Sequence, residues 1–391
     1  MSRIISKMMF GLMVLIVGCS GTKPAPPTPP TTSPVVTNAP KPASPATAAP
    51  ATTTPPVGAR SGTPDTGIKP YKEVITAKAK TDKGLFWVHE VDGKWYFEVP
   101  DSLLNREMLL VSRIAKTADN LGYGGEQSQN EQVIRWQRAD KKILLRTISY
   151  RNTAADSLPI RRAVEASNFE PIIRAFDIRA FNNDTSAVVI EATQLFTQDI
   201  PILGLPSFQR TQFQVRRLDP DRTMIVRMNS YPINVEVRHV LTYDAGAPPS
   251  QSATGTISVE MNQSMLLLPK KPMQPRLLDN RVSYFSVSTK DYGSDAQRAE
   301  TRTYIKRWRL EPKDWNAWKR GELVEPVKPI VYYIDPATPE KWRPYLKKGV
   351  DDWRVAFEAA GFKNAIIAKD PPTAEEDSEF SPEDARYSVI R

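Results

Sequence analysis

The sequence predicts an α+β protein in which a mainly antiparallel β domain, a sandwich or a barrel-like sheet, precedes the start of an α/β domain. Two observations carry this prediction. Short stretches of alternating or β-branched residues, separated by Asn, Asp, Gly and Pro, fill the middle of the chain, as is typical of antiparallel strands. After residue 325 the pattern changes to an apolar strand, one amphipathic helix and two further strands, which is the order of an α/β layer.

The chain begins with the features of an export signal. Arg3 and Lys7 supply positive charge, and residues 8–17 form an apolar stretch that is too short to span a bilayer. This stretch runs through Ile-Val-Gly into Cys19, which resembles the lipobox of bacterial lipoproteins. The resemblance implies a signal peptide over residues 1–18, cleavage before Cys19 and lipidation of that cysteine.

Cys19 is the only cysteine of the chain, so its lipidation would leave no thiol for a disulfide. The folded part must then be held by its hydrophobic core. Acyl chains that insert together give stable anchoring, so the lipid alone would hold the protein on a membrane. Ser20 and Gly21 are not acidic, which by similarity to known sorting rules favours the outer membrane over retention at the inner one. We expect the anchored protein to face the periplasm.

Residues 19–67 predict a disordered tether that follows the lipidated cysteine. Pro, Thr, Ala and Ser dominate this segment and aromatic residues are missing from it, so it cannot bury enough apolar surface to fold. Its proline content favours an extended chain of roughly 3 Å per residue, with a reach on the order of 100 Å. The tether would hold the folded part away from the lipid surface.

Residues 68–325 predict the β-rich domain. It opens with a hairpin in which Asp92-Gly93 supplies a tight turn between strands at 85–91 and 94–99, because this dipeptide readily adopts positive φ angles. Residues 118–130 are predicted to be a polar, glycine-rich connection. The other predicted strands are 108–114, 132–137, 143–149, 187–191, 212–216, 224–228, 235–243, 255–261 and 282–288.

Residues 326–391 predict the beginning of an α/β domain. The apolar run 330–334 indicates a buried strand, and Thr338-Pro339 starts a helix that ends at Gly361. Further strands are predicted near 365–368 and 386–390. Apolar residues recur along the helix at intervals of three or four and predict one buried stripe: Trp342, Leu346, Val350, Trp353, Phe357 and Ala360. Because a single helix leaves one sheet face uncovered, we expect the domain to continue beyond Arg391.

Side chains able to carry hydrolytic chemistry are sparse. His89 and His239 are the only histidines; each lies in a predicted strand without a second metal ligand at helical spacing, so we expect both to be structural. The Gly-x-Ser-x-Gly elbow of serine hydrolases is missing from the sequence. We therefore predict neither catalytic residues nor metal ligands within residues 1–391.

Two other groups of residues have simpler interpretations. The hairpin aromatics Trp87, Trp95, Tyr96 and Phe97 could stack on a sugar, but their alternation favours packing. The formal charge of +9 comes from basic residues dispersed among acidic ones, so the sequence offers no stripe for nucleic acid.

Four stretches resemble a family of large bacterial lipoproteins identified as zinc-dependent metalloproteases, and the likeness extends over about residues 68–391. They are KGLFWVH at 83–89, YFEVPDSLL at 96–104, WRVAFEAAGFKNA at 353–365 and DARYSVIR at 384–391. In that family a β-rich domain of unknown function precedes a metzincin-like catalytic domain. Its zinc motif is His-Glu-x-x-His-x-x-Gly-x-x-His, which would lie beyond Arg391.

The resemblance implies that this chain is the N-terminal portion of a membrane-tethered zinc metalloendopeptidase. Zinc and a polypeptide substrate would then belong to the full-length protein, and residues 1–391 would bind no zinc and cleave nothing. The alternative from a different class is a non-enzymatic outer-membrane lipoprotein whose β domain binds a protein or a glycan. A third interpretation is an inhibitory pro-domain that covers its own protease cleft and is released by cleavage near residue 325.

Overall fold

The computed structural model describes residues 67–122, 127–249, 254–373 and 375–391. The predictions for the signal peptide, for Cys19 and for almost all of the tether lie outside these residues. Within the described ranges, every helix is too short or too polar to cross a lipid bilayer.

The secondary structure is dominated by strands. The strands are β1 (Lys80–Asp82), β2 (Trp87–Val91), β3 (Lys94–Pro100), β4 (Glu107–Lys116), β5 (Gln127–Ala139), β6 (Lys142–Ile148), β7 (Asn152–Thr153), β8 (Ile172–Phe181), β9 (Ala187–Glu191), β10 (Val215–Leu218), β11 (Met224–Ser230), β12 (Asn234–Ala245), β13 (Thr256–Leu267), β14 (Ser286–Asp291), β15 (Glu300–Ile305), β16 (Ile330–Ile334), β17 (Ile366–Lys369) and β18 (Ser388–Ile390). The helices are α1 (Tyr71–Val74), α2 (Arg161–Ser167), α3 (Thr193–Thr197), α4 (Ser207–Gln212), α5 (Trp315–Lys319), α6 (Arg343–Asp351) and α7 (Arg354–Ala359).

One large sheet forms most of the β domain. Its strands follow the order β1-β2-β3-β9-β8-β6-β5-β4-β13-β12-β10, and β11 also pairs with β12. All of these pairs are antiparallel. The sheet curls into a nearly closed barrel, so the α+β prediction is confirmed, with the barrel-like form of its β domain.

The barrel nearly closes where the chain between β1 and β2 meets the end of β11. The Leu85 N–H donates to the Tyr231 carbonyl at 2.7 Å, and the Ser230 hydroxyl donates to the Phe86 carbonyl at 2.6 Å. A Cβ atom at Gly84 would lie 2.5 Å from the Ser230 carbonyl carbon. Glycine is therefore required at position 84, because any side chain would push the two backbones apart.

Alternate strand residues fill the barrel with large apolar side chains. Phe86, Phe97 and Trp136 are almost fully buried and belong to one core cluster. The Phe86 and Phe97 ring centroids lie 5.0 Å apart in an edge-to-face arrangement, and the Phe97 and Trp136 centroids lie 6.2 Å apart. Such aromatic pairs add to the stabilisation that burial itself provides.

Local sequence patterns located many strands correctly. Asp92 and Gly93 have φ angles of 48° and 79°, as the predicted hairpin turn requires, and β9 has the predicted bounds. The strand predicted at 212–216 was wrong in its first half, since Gln212 ends α4 and Gln214 adopts a positive φ of 52°. The predicted connection at 118–130 is shorter than expected, because β5 already begins at Gln127.

A three-stranded α/β layer follows the barrel. Its strands lie in the order β17-β16-β18 and are all parallel, and α6 and α7 connect β16 to β17. This is the predicted order of strand, helix, strand and strand. A separate small sheet has the order β15-β14-β7; β14 and β15 lie between the barrel and this layer in the sequence, whereas β7 lies between β6 and β8.

The single helix predicted in this layer is instead divided. α6 ends at Asp351, and the Trp353 N–H bonds to the Val350 carbonyl, three residues back, before α7 begins. Each residue of such a tight turn advances about 120° around the helix axis instead of 100°. The residues of the predicted apolar stripe therefore do not all lie on one face. Val350 and Phe357 therefore pack against the sheet, whereas Trp342 and Trp353 are exposed.

Candidate functional site

His89 is buried in β2 as part of a hydrogen-bonded network. Its Nδ1 lies 2.8 Å from the Thr81 hydroxyl, and its Nε2 lies 3.1 Å from the Glu98 carboxylate, which also accepts a bond from the Tyr71 hydroxyl at 2.7 Å. Burial raises the pKa of Glu98, but the bonds from His89 and Tyr71 together outweigh it and bring the pKa below its usual value. The ring therefore has partners at both nitrogens, as a structural histidine does.

His239 is buried in β12 and faces the barrel interior. Its Nδ1 donates to the Phe196 carbonyl at 2.7 Å, and its Nε2 accepts from the Gln263 amide at 2.9 Å. Burial lowers the pKa of His239 from 6.5 to about 4, although the bond to Phe196 opposes the shift. The imidazole is therefore neutral at pH 7.

The structure does not assemble the other sequence candidates into a reactive site. Tyr96 and Phe97 are buried, while Trp87 is partly exposed and carries the Lys83 ammonium 4.2 Å above its ring. Among the described residues, His, Cys, Asp and Glu form no group of three that could hold a metal ion.

A set of ion pairs and hydrogen bonds joins the α/β layer to the barrel. We call residues 381–387, which directly precede β18, the latch segment. The Glu383 carboxylate accepts from Arg227 at 2.5 Å and from Arg238 at 2.8 Å. The buried Asn234 amide donates to the Glu383 carbonyl at 2.9 Å and accepts from the Ala385 N–H at 3.0 Å.

The latch segment lies next to a buried carboxylate on the outer face of the barrel. Glu236 accepts hydrogen bonds from Asn234 at 2.7 Å, from Asn262 at 2.8 Å and from Ser264 at 2.6 Å. Arg113 lies 3.4 Å from the same carboxylate. Burial raises the pKa of Glu236 even though these four groups lower it.

Sequence reasoning missed this polar cluster, although a signal for it exists. Polar residues occupy alternate positions 234, 236 and 238 of β12 and 260, 262 and 264 of β13. That alternation predicts a solvent-facing side of the sheet. The residues that cover this polar cluster lie about 150 positions away in the sequence, and no local sequence pattern predicts that they do so.

A second polar site is a cleft of about 440 Å³ on the outer face of β5 and β6, which we call the β5–β6 cleft. Its floor includes Arg135 and Arg146, and its far wall includes Tyr150, Phe169 and Glu170. Its volume lies within the range of about 300–1,000 Å³ that is usual for small-ligand sites.

The surface of α6 carries a third, apolar feature. A groove of about 620 Å³ is lined by Trp342, Tyr345 and Leu346 together with Pro339. Tyr345 is 70% exposed and Trp342 is 54% exposed. Grouped exposed aromatic side chains are a common feature of surfaces that bind another polypeptide or a ligand.

Two family models match the chain. Residues 68–117 match a domain of unknown function, DUF5118, and residues 125–313 match a second domain of unknown function, DUF5117. The matched segments contain β1 to β15, which are the barrel and the small sheet. Neither the curated proteins nor the solved structures include a match to this chain.

Proposed function

We propose that this chain is the N-terminal portion of a membrane-tethered zinc-dependent metalloendopeptidase. The observation that carries the proposal is the parallel layer β17-β16-β18 with an exposed aromatic surface formed by α6 and the residues that flank it. The resemblance of residues 353–365 and 384–391 to a metzincin-like lipoprotein family supports it, because these stretches contain α7, the turn that follows it and β18.

The exposed aromatic surface is explained if further polypeptide packs on this layer. Trp342, Tyr345 and Trp353 together leave a large apolar area in water, which costs free energy unless a partner covers it. In the proposed protein the covering polypeptide belongs to the metzincin-like domain that carries the zinc motif. Residues 1–391 then supply the tether, the barrel and the first layer of the catalytic domain, and zinc and the polypeptide substrate bind to the continuation.

The first test is to read the source gene past the codon for Arg391. We expect an in-frame continuation with the His-Glu-x-x-His motif within about one domain length. The extended protein should retain one zinc per chain after dialysis against a weak chelator and cleave an unstructured protein substrate, and replacement of the motif glutamate by glutamine should abolish cleavage. A stop codon directly after Arg391, or one zinc retained by residues 1–391 alone, would contradict the proposal.

The proposed membrane anchor makes a separate prediction at Cys19. Because acylation needs the thiol, Cys19→Ser should abolish labelling by a radioactive fatty acid. The protein should also leave the outer-membrane fraction and appear in the fraction that is not bound to membranes. Ser20→Ala is the matched control and should leave both unchanged. Equal fatty-acid labelling of Cys19→Ser and the unaltered chain would rule out this anchor.

The second candidate is a non-enzymatic outer-membrane lipoprotein whose β domain binds a protein or a glycan. The β5–β6 cleft is the specific observation that favours it, because a polar cleft with exposed aromatic residues lies entirely within the barrel domain. The gene sequence past Arg391 separates this candidate from the protease.

A further inference from the structure

The β5–β6 cleft owes its shape to an insertion that the barrel itself does not require. β6 and β8 are neighbouring antiparallel strands, which a short turn could join. The chain instead leaves the sheet over residues 149–171, forms β7 and α2, and returns to β8. At the base of the insertion the Thr147 N–H bonds to the Pro171 carbonyl at 3.1 Å, so both ends of the insertion are held together.

The wall of the cleft is fixed in place. β7 pairs with β14, where the Lys290 N–H donates to the Arg151 carbonyl at 2.7 Å and the Tyr292 N–H donates to the Thr153 carbonyl at 2.8 Å. A ligand entering this cleft would therefore meet a preformed site and would lose little affinity to the ordering of the protein.

Hydrogen-bonding groups in the cleft are held rigidly and their charges are balanced. Arg135 pairs with Glu170 at 2.6 Å, and Arg161 pairs with Glu165 at 2.8 Å. Arg146 donates to the Gln137 side chain at 2.7 Å and to the Glu170 carbonyl at 2.7 Å. The lining holds three arginines and three glutamates, so a strongly charged ligand would gain no net attraction, whereas a neutral polar ligand could use the remaining donors and acceptors.

Exposed aromatic rings flank these polar groups. Phe169 is 77% exposed, and the Arg146 guanidinium lies 5.2 Å from its ring centroid. Tyr150 is 48% exposed and its hydroxyl donates to Glu107. The site thus offers both apolar ring faces and fixed polar groups. A pyranose ring has the matching chemistry, with an apolar C–H face and a rim of hydroxyl groups that donate and accept.

An extended peptide fits the cleft less well. Peptides commonly bind to a sheet by adding a strand to a free edge. The floor strands offer no such edge, since β5 pairs with β4 and β6, and β6 pairs with β5 and β8. We therefore propose that the β5–β6 cleft binds a neutral saccharide, with Phe169 as the stacking platform.

Saturation-transfer NMR with the full chain and millimolar cellobiose, maltose or N,N′-diacetylchitobiose tests this proposal. We expect transfer to at least one disaccharide, and calorimetry should then show that Phe169→Ala weakens its binding about tenfold. Phe208→Ala is the matched control, because Phe208 is 65% exposed and does not line the cleft; it should leave the Kd unchanged.

Three results would overturn the proposal. They are an absence of transfer to all three disaccharides, an unchanged Kd in Phe169→Ala, and a loss of disaccharide binding in Phe208→Ala that Phe169→Ala does not show. If tri-alanine binds in the cleft and the disaccharides do not, the site recognises peptide. The saccharide proposal rests on the second candidate function, whose ligand it specifies. These outcomes do not depend on the protease proposal, because the cleft uses residues of the barrel and its insertion only.

Discussion

His239 and Glu236 lie three residues apart on β12 but on opposite faces of the sheet. His239 points into the barrel, where it stays neutral and bonds to Phe196 and Gln263. Glu236 points outward and is surrounded by side-chain donors from Asn262 and Ser264. Both groups are buried, and a buried polar group without a hydrogen-bond partner costs free energy. Each group therefore forms its hydrogen bonds within the protein.

The buried histidine makes stability dependent on pH. Its pKa falls from 6.5 to about 4 on folding, so the unfolded chain binds a proton in this range that the folded chain does not. Stability is therefore complete above about pH 6.5 and declines toward pH 4, by about 3 kcal/mol from this group alone. Urea unfolding of the full chain at several pH values should show this decline, and His239→Asn should reduce the decline by the share that comes from this group.

Val237→Ala is the control for this measurement, because it also weakens the buried side of β12 but removes no titrating group. It should lower the free energy of unfolding equally at all pH values between 4 and 6.5. If His239→Asn keeps the same pH dependence as the unaltered chain, the neutral buried imidazole is not its source.

At the scale of elements, the end of α7 shows how glycine fixes a local path. Gly361 has a φ of +88°, and a Cβ atom there would lie 2.7 Å from Nε1 of Trp318. Left-handed backbone at this position after a helix is favourable for glycine and strained for other residues. The helix end predicted at Gly361 therefore has both a backbone reason and a packing reason.

Two alanine substitutions in this helical pair should have opposite effects. Gly361→Ala should reduce stability by about 2 kcal/mol, because it adds left-handed strain and a contact with the Trp318 ring. Gly349→Ala should raise stability by about 0.5–1 kcal/mol, because Gly349 lies inside α6 with open space around its Cα. Thermal unfolding of both variants measures the difference, and a loss of stability in Gly349→Ala would contradict this account of α6.

Sequence patterns predicted the elements that are determined locally and missed those that depend on distant partners. The Asp92-Gly93 turn and the glycine after α7 follow from backbone preferences. β8 was missed because Arg174, Asp177 and Arg179 interrupt its apolar pattern, although Asp177 and Arg179 lie on its outer face. The β5–β6 cleft and the latch segment were equally hidden, since each is created by tertiary contacts between segments far apart in the chain.

At the scale of the whole molecule, the latch segment connects the α/β layer to the barrel. Glu383 inserts its carboxylate between Arg227 and Arg238 and is itself largely buried. Asn234 holds the backbone on both sides of Asp384. Because β18 begins directly after the latch segment, the barrel determines where this strand meets β16.

Glu383→Gln should loosen this connection without unfolding the barrel. The loss of the charge weakens the ion pairs of Glu383 with the half-exposed Arg227 and the largely buried Arg238, so we expect hydrogen exchange at the β18 amides to increase about tenfold. Glu379→Gln is the matched control, since Glu379 is exposed in the preceding loop, and exchange should not change there. Equal exchange rates at β18 in both variants would show that the latch does not hold this strand.

The latch also implies an order of assembly. The chain emerges from its N-terminus, so β4, β12 and β13 are complete long before residues 381–387 exist. Until then Asn234, Glu236 and Asn262 face water, which can satisfy their hydrogen bonds. The barrel is thus able to form first and to present a hydrated polar face, and the arriving latch segment replaces that water. The α/β layer is therefore assembled after the barrel, on a surface that earlier-synthesised strands have already shaped.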